Sequence, residues 1–308
     1  MLDTQFPKVV QAADAVDLGD FIATNGNRIS DWLSTHGALL FRGFPVDGPE
    51  TFENACARFS PGLQRYVGGG ALRKNVSGRV YTSTEIAADQ VIPLHCESSY
   101  FQVPPERIWF YCDTPAATGG QTPVGDMARV LERLPDDLVQ RFDSRGVRYF
   151  YNMHAGKGFG RGWPDAFGTQ DRAEVEAWLD EKGFSHEWRP DGHLYAEMNA
   201  PGLRVHAGSG VTVWGNQAAS WHVRGLGAGP ARAIRGVYKQ ERLFPKHALF
   251  GDGTSIPDAD IETILATLAE EEVAFDWQAG DVLLCDNHRI AHGRRPFTGA
   301  RRVLVTLA

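Results

Sequence analysis

The sequence predicts a mainly β protein with helices at its periphery, arranged as a jelly roll or a sandwich. The 308 residues include 34 glycines and 17 prolines. Glycine is therefore well above its average share of about 7%, so the chain is rich in turns. Strand-like runs do not alternate regularly with helical segments, which argues against a doubly wound parallel sheet and favours β layers with helices outside them.

Strands are predicted wherever β-branched, aromatic and aliphatic residues cluster between glycine, proline or aspartate. Six such runs stand out, and we expect them to supply the core sheets. They cover residues 37–44, 107–113, 203–208, 211–216, 281–287 and 301–307.

Helices are predicted where apolar residues recur at helical spacing. The segments are 49–59, 126–143 with a restart at Pro135, 171–182 and 258–272. The third has the clearest ends, because Asp171 and Glu174 form a capping box and Gly183 follows as the C′ residue. No repeat or linker interrupts the chain. We therefore expect one domain over residues 1–308, with a helical N-terminal region and a lid or insert region at about 126–249.

The overall charge excludes several classes of partner. Lys and Arg total 31 against 38 Asp and Glu, a formal charge of −7, which disfavours general binding to nucleic acid or an anionic membrane. There is no apolar run long enough to span a bilayer and no secretory signal pattern. The four cysteines show neither CxxC spacing nor a disulfide framework. We expect a cytoplasmic protein that acts on a small molecule, and its oligomeric state stays open.

The most informative short segment contains His95 and Glu97. On a strand, residues two apart point to the same face, so an imidazole and a carboxylate would lie side by side. One further histidine would complete the two-histidine, one-carboxylate triad that holds non-haem Fe(II) with open coordination positions. Taken alone, the pair is a weak signal and is more typical of an ordinary surface contact.

Candidates for the missing groups lie towards the C-terminal end. His288 and His292 follow the predicted strand 281–287. They are four residues apart, but a helical zinc motif needs Glu after the first histidine and this chain has Arg289. Arg301 and Arg302 open the last strand, where a buried arginine would need an anion such as a carboxylate. Thr122 could donate its hydroxyl to the same carboxylate.

Longer stretches resemble the Fe(II)/2-oxoglutarate-dependent dioxygenases of the taurine dioxygenase and clavaminate synthase-like superfamily. The nearest branch is the syringomycin-biosynthesis-type hydroxylases. The matching stretches are LFRGF at 40–44, YTSTE at 81–85, PLHCESSY at 93–100, PERIWFYCDTPAATGGQTPVGD at 105–126, FGDGTSI at 250–256 and the segment from Trp277 to Val305. Residues 150–249 match poorly.

This resemblance implies a double-stranded β-helix core and a set of site residues. His95, Glu97 and His292 are the implied iron ligands, with His288 as a nearby residue. Arg302, assisted by Thr122, is the implied partner of the far carboxylate of 2-oxoglutarate. Strand alternation sends Arg301 and Arg302 to opposite faces, and the family register favours Arg302.

The resemblance also implies the chemistry. Fe(II), 2-oxoglutarate and O₂ would oxidise an unactivated C–H bond, with hydroxylation as the expected outcome. The substrate would be an amino acid or an amino-acid-derived natural-product intermediate, free or tethered to a carrier protein. The Glu ligand fits the clavaminate synthase branch and argues against a halogenase, which replaces the carboxylate by a small residue. The residues that would line the substrate pocket are Ser83, Thr84, Glu85, Asn152 and Asn216.

Several alternatives remain at this point. Glu85 could meet an ammonium group or be a solvated loop residue. The same iron centre could catalyse desaturation or cyclisation. The three ligands could instead bind zinc in a metal-dependent hydrolase or a cupin-like binder, although Arg302 and Thr122 argue against a hydrolase, which needs no dicarboxylate clamp. A partner protein that has lost activity is the remaining class.

Overall fold

The computed structural model describes residues 6–13, 16–68, 73–84 and 86–308. Glu85, a predicted pocket residue, lies outside the described residues. The helices are α1 (Leu18–His36), α2 (Pro49–Phe59), α3 (Met127–Arg133), α4 (Asp136–Arg145), α5 (Trp163–Phe167), α6 (Arg172–Lys182), α7 (Ala218–Trp221), α8 (Ala228–Val237) and α9 (Asp258–Glu270), with 3₁₀ turns at Val223–Leu226 and Glu241–Leu243.

The strands of the first half of the chain are β1 (Lys8–Gln11), β2 (Ala38–Arg42), β3 (Asn75–Ser77), β4 (Val80–Thr82), β5 (Ile92–His95), β6 (Arg107–Thr114), β7 (Thr118–Gly119), β8 (Val124–Asp126) and β9 (Val147–Met153). Those of the second half are β10 (Ser185–Trp188), β11 (Leu194–Ala200), β12 (Arg204–Val205), β13 (Thr212–Val213), β14 (Lys246–Phe250), β15 (Val282–Asp286), β16 (Ile290–Arg294), β17 (Phe297–Thr298) and β18 (Arg302–Leu307).

A seven-stranded sheet in the order β1-β2-β15-β6-β18-β4-β3 forms the main layer. Its central strands are buried on both faces. One face packs Leu304 against α1 and α2 through Leu18 and Phe52. The opposite face carries Phe110 and Val303 in a separate apolar cluster. The combination of sheets with peripheral helices agrees with the sequence prediction.

A three-stranded sheet in the order β5-β16-β8 lies next to the main layer. Its antiparallel register places His292 directly opposite His95. Gly293 permits this close pairing, because a Cβ atom at that position would lie 2.6 Å from the carbonyl oxygen of Ile92. Real Cβ atoms do not approach a carbonyl so closely, so a larger residue here would push β5 and β16 apart.

The predicted helices are present with small changes in their bounds. Residues 49–59 form α2, and residues 258–270 form α9. The predicted segment 126–143 is two helices, α3 and α4, with Pro135 as the N-cap of α4. The Asp171 side chain caps α6 by accepting a hydrogen bond from the Ala173 N–H, and Gly183 ends the helix in the left-handed conformation.

Between α4 and α9, a four-stranded sheet in the order β10-β11-β9-β14 forms a further layer. Its strands were not among the predicted runs, whereas the predicted runs 203–208 and 211–216 form the two-residue strands β12 and β13. Aromatic residues dominate its packing, and Trp221 contacts Tyr149 and Tyr151 at ring-centroid distances of 5.1 and 4.4 Å. No helix in the described ranges is long and apolar enough to cross a membrane.

Candidate metal centre and adjoining cavity

Three metal-ligating side chains meet at the end of the three-stranded sheet. His95 ends β5, His292 lies in β16 and Glu97 follows β5 in a turn. One carboxylate oxygen, Oε2 of Glu97, is 3.9 Å from Nε2 of His95 and 3.7 Å from Nε2 of His292. One ligand atom from each residue lies within 4.8 Å of the others. A single cation can therefore contact all three side chains.

The protonation of these groups suits metal binding. His95 donates from Nδ1 to the Pro93 carbonyl oxygen at 2.9 Å, so its Nε2 carries the free lone pair. Burial, together with the neighbouring His292, lowers the pKa of His95 to about 4. Burial also lowers the pKa of His292. Both imidazoles are therefore neutral at pH 7, as metal ligands must be. Two imidazoles and one carboxylate with open positions are the donor set of non-haem iron.

Glu97 is paired with a buried arginine. Arg73 Nη2 lies 2.6 Å from Glu97 Oε2, and the two side chains are 3% and 7% exposed. Burial by itself would raise the pKa of Glu97, but the charge of Arg73 and the contacts with the two histidines outweigh burial and hold that pKa well below its usual value. Glu97 is consequently a carboxylate throughout the physiological pH range.

Backbone contacts fix the position of Glu97. The side-chain oxygen of Asn287 accepts a hydrogen bond from the Glu97 N–H at 2.7 Å, and its amide donates to the Glu97 carbonyl oxygen at 2.9 Å. Asn287 also donates to the Pro105 carbonyl oxygen. The next residue, Ser98, has a φ of 54°, an uncommon conformation for a non-glycine residue. The turn that presents the carboxylate is thus held by a side chain from a distant part of the chain.

A cavity adjoins the two histidines. Its lining residues are Arg73, Ser83, Thr84, Ile92, His95, Phe110, Thr122, His292, Gly293, Arg294, Arg301 and Val303. Phe110 packs against the His292 ring at 4.9 Å and supplies an apolar wall. The cavity therefore joins the metal-ligating histidines to a set of cationic and hydroxyl groups.

Arg301 and Thr122 form the polar end of this cavity. Arg301 donates to the Gly120 carbonyl oxygen at 2.8 Å and to the Thr122 hydroxyl oxygen at 3.3 Å, and it lies 3.4 Å from the Ser83 hydroxyl. The Thr122 oxygen also accepts from Trp277 Nε1 at 3.0 Å. With both lone pairs engaged, the Thr122 O–H remains available to donate. Burial lowers the pKa of Arg301 to about 10, which leaves it charged at pH 7.

The predicted orientation of Arg302 requires a correction. Arg301, not Arg302, enters the cavity, whereas Arg302 is 45% exposed and pairs with Asp113 at 3.1 Å. The strand register is irregular between Arg302 and Val303. Beyond that point Leu304 packs against α1 and α2, while Val303 borders the cavity.

Of the other predicted residues, some line the cavity and others lie outside it. Ser83 and Thr84 line the cavity. Asn152 and Asn216 do not line this cavity, and their amides bind backbone groups. Asn152 donates to the carbonyl oxygens of Arg242 and Phe244, and Asn216 donates to that of Gly202. His288 contacts the Pro104 carbonyl oxygen.

The sequence analysis missed three residues at the site: Arg73, Asn287 and Arg294. Arg294 lies directly after Gly293 and donates to the carbonyl oxygens of Thr84, Ile86, Ala87 and Gln90. Asn287 is the last residue of the predicted strand 281–287, directly before His288, so its position offered a signal. Arg73 lies outside the matching stretches, and no spacing pattern identifies it.

Comparison with known proteins agrees with this geometry. The family model described as "Taurine catabolism dioxygenase TauD, TfdA family" matches residues 3–307. The dapdiamide synthesis protein DdaC of Enterobacter agglomerans is 36% identical over 279 residues, which covers 91% of this chain and 84% of that protein. A clavaminate synthase-like protein of Arabidopsis thaliana is 35% identical over 295 residues, covering 93% of this chain and 86% of the other.

Solved structures share the fold at lower sequence identity. A taurine dioxygenase from Burkholderia xenovorans superimposes with a TM-score of 0.53 at 17% identity, covering 97% of this chain and 86% of that one. At this identity the similarity describes the fold.

Proposed function

Since the chain belongs to the TauD/TfdA family and is therefore a dioxygenase that uses Fe(II), 2-oxoglutarate and O₂, we propose that His95, Glu97 and His292 hold the iron. The main support for this assignment is geometric: one ligand atom from each of the three side chains lies within 4.8 Å of the other two. Two neutral imidazoles and one ionised carboxylate match the donor set that non-haem Fe(II) prefers. Bound iron, with its co-substrates, supplies the oxidising chemistry.

Arg301 is proposed as the residue that binds the far carboxylate of 2-oxoglutarate. It lies partly buried in the cavity beside the histidines, and Thr122 has a free O–H next to it. A guanidinium and a hydroxyl directed at the same carboxylate neutralise its charge and hold its orientation. Ser83 offers a further hydroxyl at the same end of the cavity. This assignment replaces Arg302 as the predicted clamp.

The remaining residues position the reactants and limit the access of water. Phe110 covers one side of His292, and Arg294 holds the segment around residues 84–90 against the cavity. We propose that the seven-stranded and three-stranded sheets are the two halves of a double-stranded β-helix core within one domain. Region 126–249, with its four-stranded sheet, would then cover the substrate side.

The proposed reaction is hydroxylation of an unactivated C–H bond in an amino acid or an amino-acid-derived small molecule. One relative is named for dapdiamide synthesis, which supports a small-molecule substrate in a biosynthetic pathway. Desaturation and cyclisation would use the same iron centre, so the product, identified by mass spectrometry and NMR, separates these outcomes from hydroxylation.

The test combines a spectrum with an assay of turnover. Anaerobic addition of Fe(II) and 2-oxoglutarate to the protein should give a weak visible charge-transfer band. Under O₂, a panel of amino acids should include one that stimulates succinate release. Glu97→Ala should abolish both signals, whereas Glu50→Ala, which removes an exposed carboxylate of α2, should leave both unchanged. A silent spectrum in the wild-type protein would contradict the proposal and favour a zinc hydrolase or a non-catalytic binder.

A further inference from the structure

A single peptide group between two of the metal-ligating residues controls the direction of the carboxylate. Cys96 lies between His95 and Glu97, so the carbonyl of Cys96 and the N–H of Glu97 belong to the same planar unit. Rotation of that plane changes ψ of Cys96 and φ of Glu97 together. It therefore changes the direction in which the Glu97 side chain leaves the backbone.

Two side chains hold this peptide group from opposite ends. Its N–H donates to the side-chain oxygen of Asn287 at 2.7 Å, and its carbonyl oxygen accepts a hydrogen bond from the amide of Gln217. Asn287 and Gln217 are 1% and 6% exposed, so water cannot easily replace either bond. Asn287 comes from the segment between β15 and β16, whereas Gln217 directly precedes α7 in region 126–249. The peptide is thus held between the metal-ligating strands and that region.

Trp221 sets the orientation of the Gln217 amide. An indole N–H can only donate, so the Gln217 atom that receives it at 3.3 Å is the side-chain oxygen. The amide nitrogen then faces the Cys96 carbonyl, which can only accept. The backbone of Gln217 is fixed separately, because its N–H donates to the Tyr149 hydroxyl at 2.8 Å. Three contacts therefore hold Gln217 in one orientation.

The Trp221 ring belongs to a buried aromatic cluster. The ring centroids of Tyr100, Tyr149 and Tyr151 lie 4.7, 5.1 and 4.4 Å from that of Trp221. Tyr149 and Tyr151 are in β9, and Tyr100 follows the turn after β5. All four side chains are buried. A close-packed interior transmits strain, so a displacement of this cluster reaches Gln217 through Trp221.

We propose that Gln217 is a positioning residue that sets the direction of the Glu97 carboxylate by holding the Cys96 carbonyl, and that it ties this ligand to the aromatic cluster. The inference rests on the proposed function, in which Glu97 binds iron and region 126–249 covers the substrate side. Gln217 itself does not line the cavity. A substrate that displaces the cluster would therefore change the geometry of the carboxylate ligand without contacting it.

Metal binding tests the role of Gln217 without turnover. Gln217→Met removes both side-chain hydrogen bonds and keeps the length of the side chain. Its affinity for Mn(II), measured from the electron paramagnetic resonance signal of the free ion, should fall by about tenfold, as for other residues that orient a ligand. Gln102→Met is the control, since it makes the same change in an exposed glutamine whose amide binds the Asn199 carbonyl oxygen. It should bind Mn(II) like the wild type.

A milder variant tests the same contact if Gln217→Met does not fold. Trp221→Phe keeps an aromatic ring in the cluster and removes the N–H that orients the Gln217 amide. Its Mn(II) affinity should fall by about threefold, the factor expected for one neutral hydrogen bond. Circular dichroism and urea unfolding establish that each variant is folded. Wild-type affinity in either folded variant overturns the inference.

A double variant separates positioning from a general loss of stability. Gln217 and Asn287 hold the two ends of one peptide, so the removal of either side chain frees the same group. The losses of Mn(II) affinity in Gln217→Met and Asn287→Ala should therefore be non-additive, and the double variant should lose less than the product of the two separate factors. Factors that multiply would show two independent effects and overturn the inference.

The charge-transfer band with Fe(II) and 2-oxoglutarate separates this inference from the proposed function. The band is recorded for the wild type and for Gln217→Met, in which it should shift in wavelength because the carboxylate ligand changes direction. If the wild-type band is missing, the proposed function fails. If both proteins show the same band and bind Mn(II) equally, the iron assignment stands and the positioning role of Gln217 is wrong.

Discussion

Asn287 binds the backbone of Glu97 on both sides, through its side-chain oxygen and its amide, across 190 residues of sequence. Asn287 is 1% exposed, so water cannot easily replace these bonds. The position of the carboxylate ligand therefore depends on a residue that itself offers no ligand atom to a metal. Such supporting contacts tune a metal site nearly as strongly as the ligands do.

We expect Asn287→Ala to lower the free energy of unfolding by about 2 kcal/mol, because it leaves an N–H and two carbonyl groups unsatisfied. Metal affinity should fall by about tenfold or more. Urea denaturation and titration with Mn(II) measure the two effects. Asn216→Ala is the matched control, since it removes a buried backbone-binding asparagine outside the cavity. It should reduce stability and leave metal affinity intact, and an equal loss of metal affinity in both variants would contradict the role of Asn287.

The two adjacent arginines provide a paired test of the cavity. Arg301→Met should raise the KM for 2-oxoglutarate by about 30- to 100-fold, which corresponds to the loss of about 2–3 kcal/mol of charge-assisted hydrogen bonding. Arg302→Met should change that KM less than twofold, because the Arg302 guanidinium pairs with Asp113 at the surface. Steady-state kinetics with varied 2-oxoglutarate gives both values. The opposite ranking would restore Arg302 as the clamp.

We expect the protein to lose stability in acid, because two histidines away from the metal centre are buried. His222 and His247 are fully buried with ring centroids 4.3 Å apart. Burial, followed by the neighbouring His247, lowers the pKa of His222 to about 3, against about 6.5 in the unfolded chain. Between these values the unfolded state binds the extra proton, so the free energy of unfolding decreases as the pH falls.

The contribution of His222 is about 1.4 kcal/mol per pH unit within that window. We expect His222→Asn, which keeps an acceptor for the Arg224 N–H, to lose stability less steeply between pH 6.5 and 5. Urea unfolding at several pH values measures the difference. Parallel profiles for the variant and the wild type would show that His222 does not titrate in this way.

Replacement of Arg294 should make the backbone more mobile at the mouth of the cavity. Its guanidinium binds the carbonyl oxygens of four residues between 84 and 90. We expect Arg294→Gln to speed amide hydrogen exchange in this segment, because the segment loses its anchor. Arg295→Gln changes a more exposed neighbour that pairs with Glu272 and should leave exchange there unchanged. Equal exchange in both variants would mean that other contacts hold the segment.

Much of the site could be predicted because its chemistry is local in sequence. His95 and Glu97 are two residues apart, and His292 lies next to a recognisable strand. The sequence alone could not decide between Arg301 and Arg302, and the reason is physical. Both faces of β18 are buried, one against helices and one against the cavity. A strand that is apolar on both faces carries no alternation to show which side holds the site.

The rest required the three-dimensional arrangement. Strand β9 pairs with β11 and with β14 across long separations in sequence. The aromatic residues of these strands do not distinguish a sheet from another kind of core. Arg73 approaches Glu97 from a separate segment, so no spacing in the sequence links them. Asn152 and Asn216 were predicted for the substrate pocket, and the backbone groups that engage their amides are visible only once the chain is folded.

The pairing of His95 with His292 has a consequence for folding. These two residues face each other across neighbouring strands but belong to distant parts of the chain. A metal ion bound between them would act as a removable cross-link that closes a very long loop. Binding to the folded chain alone stabilises it by mass action. Iron supply would then govern how long the protein survives in the cell as well as how fast it works, because the metal-free chain opens more often to proteases.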